Sequence, residues 1–254
     1  MTSSSRPTAL VTHASGFGGP AAVIGLLGAG YHVIAHDRSF ETEEPRDAYR
    51  DGREGLSFLS QETPEAVIDA AYAISPDLKV IVSNDFAPAT AYTPEAAPIE
   101  ALRENLDKLV EFPFRLVRAA LPRLRDIGGG NVVMITSNRM RLPLSGGAFP
   151  DAARSAANAL VQSLAVDCAS AKVTVNAVAP NFLYSEQFYP KAVYEQTEEG
   201  RNYIAQQVPA GRLADPEEMG ELIAFLAGAK SRHLTGAIID FSGGWPAAPE
   251  RPWA

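Results

Sequence analysis

The stretch TALVTHASGFGGPAAVIGLLGAGYHVIA, residues 8–35, decides the fold. Thr8–Thr12 is a short β-prone apolar run that ends at a glycine-containing turn, residues 16–19. Ala21–Gly28 has the pattern of a helix that stops at glycine, and Tyr31–Ala35 is the next apolar run. A strand, a helix and a second strand in this order predict a parallel βαβ unit with a right-handed crossover.

The same alternation continues along the chain. Further strands are predicted at Lys79–Ser83, Asn131–Thr136, Lys172–Val178 and Ala237–Phe241. Further helices are predicted at Thr63–Ser75, at Glu100–Arg125 with an interruption near Pro113, at Ala152–Ala169 and at Pro216–Gly228. Arg38–Ser60 is polar and weakly patterned, which predicts an irregular connection or a short helix. Because no linker or repeat interrupts the alternation, we expect one α/β domain over residues 1–254, a doubly wound, mostly parallel sheet with helices on both faces.

Composition limits the classes of function. The 254-residue chain is 46% hydrophobic and 20% charged, with a formal net charge of −8, which disfavours nucleic acid and anionic membrane surfaces as partners. No uncharged apolar stretch reaches the roughly 18 residues that a membrane span needs. Cys168 is the single cysteine, so no disulfide forms within the chain. We therefore expect a cytoplasmic location and a buried structural thiol at Cys168.

Over nearly its whole length the chain resembles the short-chain dehydrogenase/reductase superfamily. The residues that carry this resemblance are Val175–Pro180 (VNAVAP), Gly211–Leu213 with Pro216–Glu218, and Leu234–Gly236 followed by Asp240–Gly244 (DFSGG). The resemblance implies a Rossmann-like fold. It leaves the function open, because one fold hosts many chemistries.

The first turn argues against a nicotinamide cofactor. Dinucleotide binders of this superfamily have glycines there, so that the backbone can approach the pyrophosphate at the helix N-terminus. Thr12 and Gly19 match the pattern, but two of its glycine positions hold His13 and Phe17. The Phe17 ring would fill the volume of a phosphate, so we expect no dinucleotide. Asp37, at the position of a ribose-binding acid, is interpreted as a solvated strand end or a relic.

These departures are similar to those of the halohydrin (haloalcohol) dehalogenases, a cofactor-independent branch of the superfamily. The shared features are Thr12-His13 with Phe17–Pro20, His36-Asp37, Ser83–Asp85, Phe112-Pro113, Ile135–Ser137, Pro180–Leu183, Phe188–Pro190 and the tail through Trp253. The resemblance implies a lyase that converts a small haloalcohol into an epoxide and a halide, and that opens epoxides with small anions. It also implies a homotetramer, with Glu100–Arg125 and Ala152–Ala169 packing across one interface.

Position by position, the resemblance assigns the site. Ser137 matches the serine that binds the substrate oxygen, and Arg154 matches the arginine that lowers the pKa of a tyrosine base. A pocket for halide and substrate is implied from the 180–200 loop and the 245–254 tail. Its residues are Phe17, Pro180, Asn181, Phe182, Leu183, Phe188, Tyr189 and Trp253. No metal site is predicted, because the histidines share no metal-ligand spacing.

The tyrosine base is missing, since Pro150 stands four residues before Arg154. Asp151, Tyr184 or Tyr189 could replace it, although Asp151 could equally cap the helix Ala152–Ala169. Otherwise the pocket runs another reaction, or the protein is a weak or inactive relative that binds an anion or another ligand. A conventional NAD(P) oxidoreductase is a third possibility, and the aromatic residues after Pro180 could form a subunit interface as well as a pocket.

Overall fold

The computed structural model describes residues 6–88 and 90–248, which form a seven-stranded sheet between two layers of helices. The strands are β1 (Thr8–Val11), β2 (His32–His36), β3 (Leu56–Leu59), β4 (Val80–Asn84), β5 (Gly130–Ile135), β6 (Val173–Pro180) and β7 (Ile238–Phe241). Their order is β3-β2-β1-β4-β5-β6-β7, and every neighbouring pair is parallel. The doubly wound α/β fold predicted from the sequence is confirmed.

Nine α-helices lie in the described part of the chain. They are α1 (Gly19–Gly28), α2 (Glu43–Arg50), α3 (Pro64–Ile74), α4 (Ile99–Leu106), α5 (Phe112–Asp126), α6 (Ala148–Cys168), α7 (Lys191–Tyr194), α8 (Glu198–Gln207) and α9 (Pro216–Gly228). Helices α1 and α9 pack on one face of the sheet, and α3, α5 and α6 on the other. The central strands β1, β4, β5 and β6 have apolar side chains on both faces because both faces are covered.

Local sequence fixes several helix starts and one tight packing contact. The Thr63 hydroxyl accepts the Ala66 N–H at the start of α3, and Asp215 and Glu218 form a reciprocal capping box on α9. Helices α1 and α9 approach so closely that a Cβ atom on Gly25 would overlap the backbone of Gly220. Cys168 is buried, as predicted.

One stretch differs in part from the sequence-based expectation, and in a second the interruption predicted near Pro113 is observed. The stretch 38–60 contains the short helix α2, as one alternative predicted, but also the edge strand β3, which pairs with β2. The pattern of β3 is weak because an edge strand is only partly buried. The predicted helix Glu100–Arg125 is divided into α4 and α5 by a π-helical turn at Asp107–Glu111, and Pro113 lies in the first turn of α5.

Further differences concern the elements around the site. Helix α6 begins at Ala148 after an N-cap at Gly147, so the interpretation of Asp151 as a helix cap is wrong, and Asp151 lies inside the first turn. The stretch 180–200, predicted as a loop, contains α7 and the start of α8. Trp253 and most of the 245–254 tail lie outside the described residues. Among the helices that are described, none is both long and apolar enough to cross a bilayer.

Candidate functional site

A cavity of about 270 Å³ opens beyond the carboxyl ends of β5 and β6. Ligands of open α/β sheets bind at this edge. The cavity brings together Phe17, Ser137, Pro150, Arg154, Pro180, Asn181, Phe182, Leu183, Phe188 and Tyr189. Most residues proposed from the sequence therefore lie around one space, from four separate parts of the chain.

Ser137 follows β5 and is buried at the cavity wall. Its hydroxyl donates weakly to the Pro180 carbonyl oxygen at 3.3 Å and accepts the Arg139 N–H at 3.2 Å. A hydroxyl that is held by long hydrogen bonds can turn toward a ligand oxygen without leaving a strong partner.

Arg154 projects from α6 and is also buried. One guanidinium nitrogen, Nη1, donates to the carbonyl oxygens of Asp85 (3.1 Å) and Thr136 (3.2 Å), and the cation lies 5.3 Å from the centre of the Phe17 ring. Burial lowers the pKa of Arg154 to about 10, against the opposing charge of Asp85. None of the ion pairs formed by the described residues includes Arg154. Its positive charge is thus buried beside the cavity, and its contacts among the described residues are carbonyl oxygens and an aromatic ring, not a carboxylate.

Pro150 lies one helical turn before Arg154, and both residues line the cavity. A proline is tolerated there because the first N–H groups of a helix have no intrahelical acceptor. The Pro150 ring gives the cavity an apolar wall where the resemblance implies a phenol.

Of the three candidate substitute bases, Tyr189 alone lines the cavity. Its hydroxyl donates to Asn181 Oδ1 at 2.7 Å, and burial raises the pKa of Tyr189 well above its usual value. Asp151 pairs with Arg139 instead. The Tyr184 hydroxyl donates to Glu186, whose hydrogen bond and charge, together with burial, raise the pKa of Tyr184 to about 12. Neither tyrosine is therefore held as a ready base at neutral pH, and the Asp151 carboxylate is engaged by Arg139.

The polar groups of the loop after β6 form hydrogen bonds with one another. Asn181 Oδ1 accepts the Phe182 N–H at 3.0 Å as well as the Tyr189 hydroxyl. Phe182 has a positive φ of 55°, and its ring packs 5.7 Å from Trp245. An anion that binds to the Phe182 amide must therefore displace the Asn181 side chain.

The first βα turn does not fit a dinucleotide. The Phe17 N–H donates to Gln187 Oε1 at 3.1 Å, and the Gly18 N–H donates to Asn84 Oδ1 at 3.2 Å. A Cβ atom on Gly16 would meet the Phe86 ring at 2.6 Å. The amides that would bind a pyrophosphate already donate to the Gln187 and Asn84 side chains, and the Phe86 ring lies against Gly16 of the same turn.

Asp37 also has partners in this structure. Its carboxylate accepts hydrogen bonds from the hydroxyl and the N–H of both Ser15 and Ser39. These bonds outweigh partial burial and lower the pKa of Asp37. The residue ties two loops together and is more than a solvated strand end.

Several cavity residues were missed by sequence reasoning. They are Ala87, Asn105, Leu109, Arg139, Leu142, Leu144, Tyr203, Gln207 and Trp245, whereas Tyr194, which also lines the cavity, is one of the aromatic residues after Pro180 that were considered for it. Arg139 could have been found from its position two residues after Ser137. The residues from α4 and α8 have no local signal, because long-range packing alone brings them here. Within residues 6–88 and 90–248, no three His, Cys, Asp or Glu side chains cluster as metal ligands.

A family model described as "Enoyl-(Acyl carrier protein) reductase" matches residues 59–246. A tropinone reductase homologue of Arabidopsis thaliana is 30% identical over 256 residues, covering 93% of this chain and 89% of that protein.

Two solved structures are also similar. One, titled "Dehalogenation enzyme", is 31% identical with a TM-score of 0.90, covering 94% of this chain and 98% of the other. The second is a halohydrin dehalogenase bound to ethyl (2S)-oxiran-2-ylacetate, 28% identical with a TM-score of 0.91, covering 96% and 99%. The chain is thus about equally identical in sequence to the reductase homologue and to the two dehalogenase structures.

Proposed function

This chain belongs to the short-chain dehydrogenase/reductase superfamily, and from that premise we propose that it is a cofactor-independent, halohydrin dehalogenase-like lyase. The observation that carries the proposal is the buried Arg154 guanidinium, which lines a cavity with Ser137 and pairs with no carboxylate among residues 6–88 and 90–248. The obstructed first turn supports a reaction without a dinucleotide. The similar halohydrin dehalogenase structure supports the choice of substrate class.

The proposed reaction needs no redox step. The hydroxyl proton of a vicinal haloalcohol passes to a base, the oxygen attacks the neighbouring carbon, and the carbon–halogen bond breaks with its electron pair on the leaving halide. Ser137 would hold the substrate oxygen, Arg154 would supply positive potential, Asn181–Leu183 would receive the departing anion, and the aromatic walls would exclude water. In the opposite direction a small anion opens the epoxide, and the alkoxide that forms takes up a proton.

Because the tyrosine base is missing, ring closure and ring opening need different protonation states of the remaining groups. Ring closure needs a deprotonated group, and burial disfavours the phenolate of Tyr189. Ring opening needs a proton donor, which a buried phenol is. We therefore expect slow dehalogenation by the natural sequence, with Tyr189 as the group best placed to exchange the proton.

The test is halide release from 2-bromoethanol in the absence of NAD(P). The natural sequence should release bromide above a Ser137→Ala variant, and Ser231→Ala, which changes an exposed serine far from the cavity, should behave like the natural sequence. Equal release by the natural sequence and Ser137→Ala would refute the proposal.

A second candidate is a non-catalytic protein that binds an anion or another small ligand. Pro150 favours it, because the wall beside Arg154 has no titratable group at that position. Bromide quenching of Trp245 fluorescence without turnover would support this candidate. The Trp245→Phe variant is the control, because its remaining fluorescence comes from Trp253.

A reductase is the third candidate, favoured by the reductase relatives. The occupied amides of Phe17 and Gly18 oppose it. Binding of NADH at micromolar concentration would restore it.

We also propose a single domain, a cytoplasmic location and a homotetramer. The interface implied for α5 and α6 is supported by exposed apolar side chains, since Phe114 is 41% and Val166 is 77% exposed in the single chain.

A further inference from the structure

His13 lies in the first turn, outside the cavity, with a positive φ of 47°. Its Nδ1 atom is 3.3 Å from Asp85 Oδ1 and 3.2 Å from the Asn84 carbonyl oxygen. The ring packs against Phe112, with a centroid distance of 4.7 Å. The proposed function leaves this histidine without a role.

Asp85 connects His13 to the cavity because its backbone carbonyl contacts Arg154 and its carboxylate contacts His13. The backbone carbonyl accepts from Arg154 at 3.1 Å, while carboxylate oxygen Oδ2 accepts the Ser83 hydroxyl at 2.6 Å. The other carboxylate oxygen, Oδ1, is buried, and within the described part of the chain its one polar contact is with His13. Among the described residues, the ion pair of Asp85 is with His13 and not with Arg154.

We propose that His13 is a positioning residue for the cavity: by pairing with Asp85 it keeps that carboxylate from cancelling the positive potential of Arg154, so that the cavity can receive an anion. This inference rests on the proposed function. If His13 loses its charge, Asp85 becomes an unpaired buried carboxylate beside Arg154, and its field opposes anion binding.

The charge on His13 depends on the groups around its ring. Burial lowers the pKa of His13, but the hydrogen bond and charge of Asp85, the charge of Asp37 and the Asn84 carbonyl outweigh it, so the pKa lies above its usual 6.5. His36 also faces the ring, at 5.5 Å, and burial lowers its pKa to about 4, so it is neutral when His13 titrates. Phe86 and Phe112 add no charge. Anion affinity should therefore be full below the pKa of His13 and decrease as the pH rises through it.

The experiment measures the bromide Kd from Trp245 quenching between about pH 6 and 8.5 at constant ionic strength. The proteins are the natural sequence, His13→Asn, Asp85→Asn, the double variant, and His233→Asn as a matched removal of an exposed histidine. Thermal unfolding of each variant establishes that it is folded. Bromide release from 2-bromoethanol is recorded on the same preparations, so that binding and turnover are judged separately.

For the natural sequence and His233→Asn we expect the Kd to rise roughly tenfold across this range. His13→Asn should have the high Kd at every pH, whereas Asp85→Asn should have a low Kd at every pH. The double variant should behave like Asp85→Asn, because His13 acts through Asp85. A merely structural role for His13 would instead weaken binding in both backgrounds.

Three results would overturn the inference. The first is equal bromide affinity of His13→Asn and the natural sequence at about pH 6. The second is an increase in the bromide Kd by His13→Asn that is as large in the Asp85→Asn background as in the natural sequence. The same comparison detects the case in which His13→Asn weakens binding only because the variant folds poorly. In both cases the proposed function stands if halide release is intact. The third is no bromide binding and no halide release by the natural sequence, which would remove the proposed function as well.

Discussion

If the cavity is a halohydrin dehalogenase site that lacks only its base, Pro150→Tyr should increase the activity strongly. The substitution places a phenol one helical turn from the buried Arg154. A cation within about 4–6 Å lowers a pKa by about 1–3 units, which would bring the phenol from about 10 to about 7–9. General base catalysis contributes about 10²- to 10⁴-fold, so we expect kcat/KM for halide release to rise at least about 100-fold.

The backbone should accept this change. Pro150 is the third residue of α6, and the first hydrogen bond of the helix in this region runs from the Asp151 N–H to the Gly147 carbonyl. The new N–H group at position 150 therefore joins the unpaired groups of the first turn and disturbs no existing bond. The side chain must fit into the cavity of about 270 Å³, which also has to hold the substrate.

The assay is bromide release from 2-bromoethanol without NAD(P), measured from about pH 6 to 10. Pro150→Phe is the matched control, because it has the same bulk without the hydroxyl. The rate of Pro150→Tyr should increase with pH through the pKa of the phenol, and that of Pro150→Phe should not. Equal rates for the two folded variants would refute the reasoning and show that Arg154 and Ser137 do not form the remainder of this catalytic site.

Three further predictions concern the turn, the packing and the pH dependence. Phe17→Gly should still fail to bind NADH in a fluorescence titration, since Gln187 and Asn84 continue to occupy the turn amides; micromolar binding would contradict this. Gly25→Ala should lower the free energy of unfolding by about 1–3 kcal/mol or more through overlap with Gly220, whereas Gly28→Ala, where a Cβ meets nothing within 4 Å, should not. Burial lowers the pKa of His36 to about 4, so its stabilising contribution is complete above pH 6.5 and decreases as the pH falls toward 4. Urea unfolding should detect a loss of about 2–3 kcal/mol between about pH 7 and 4.5, and His36→Asn should reduce this loss.

The fold was predictable because the strands on which it depends are buried on both faces. Strands β1, β4, β5 and β6 are near-continuous apolar runs, which identify a parallel sheet. Strand β3 was missed because, at the edge of the sheet, most of its residues are only partly buried. The interruption near Pro113 was predicted, but its form, a π-helical turn at Asp107–Glu111, was not, because one additional residue in a helix leaves the apolar pattern nearly unchanged.

The site was predictable where its residues follow strands and much less where they come from helices. Ser137 follows β5, and Pro180–Leu183 begin at the last residue of β6; the carboxyl ends of these two strands meet at one edge of the sheet. Tyr203, Gln207 and Trp245 reach the cavity through packing of segments far apart in sequence. Asp151 shows the same limit, because its pairing with Arg139 could not be seen from its place beside Pro150.

Phe17 and Phe188 together block the dinucleotide turn and form one wall of the cavity. The Phe17 N–H is held by Gln187, the neighbouring Phe188 ring packs 5.3 Å from the Phe17 ring, and Phe17 in turn lies over Arg154. Opening the turn for a pyrophosphate would therefore also expose the Arg154 cation and move the loop that carries Phe188. Since these contacts are shared, we expect dinucleotide binding and the Arg154 cavity to exclude each other, and no single substitution in the turn should exchange one for the other.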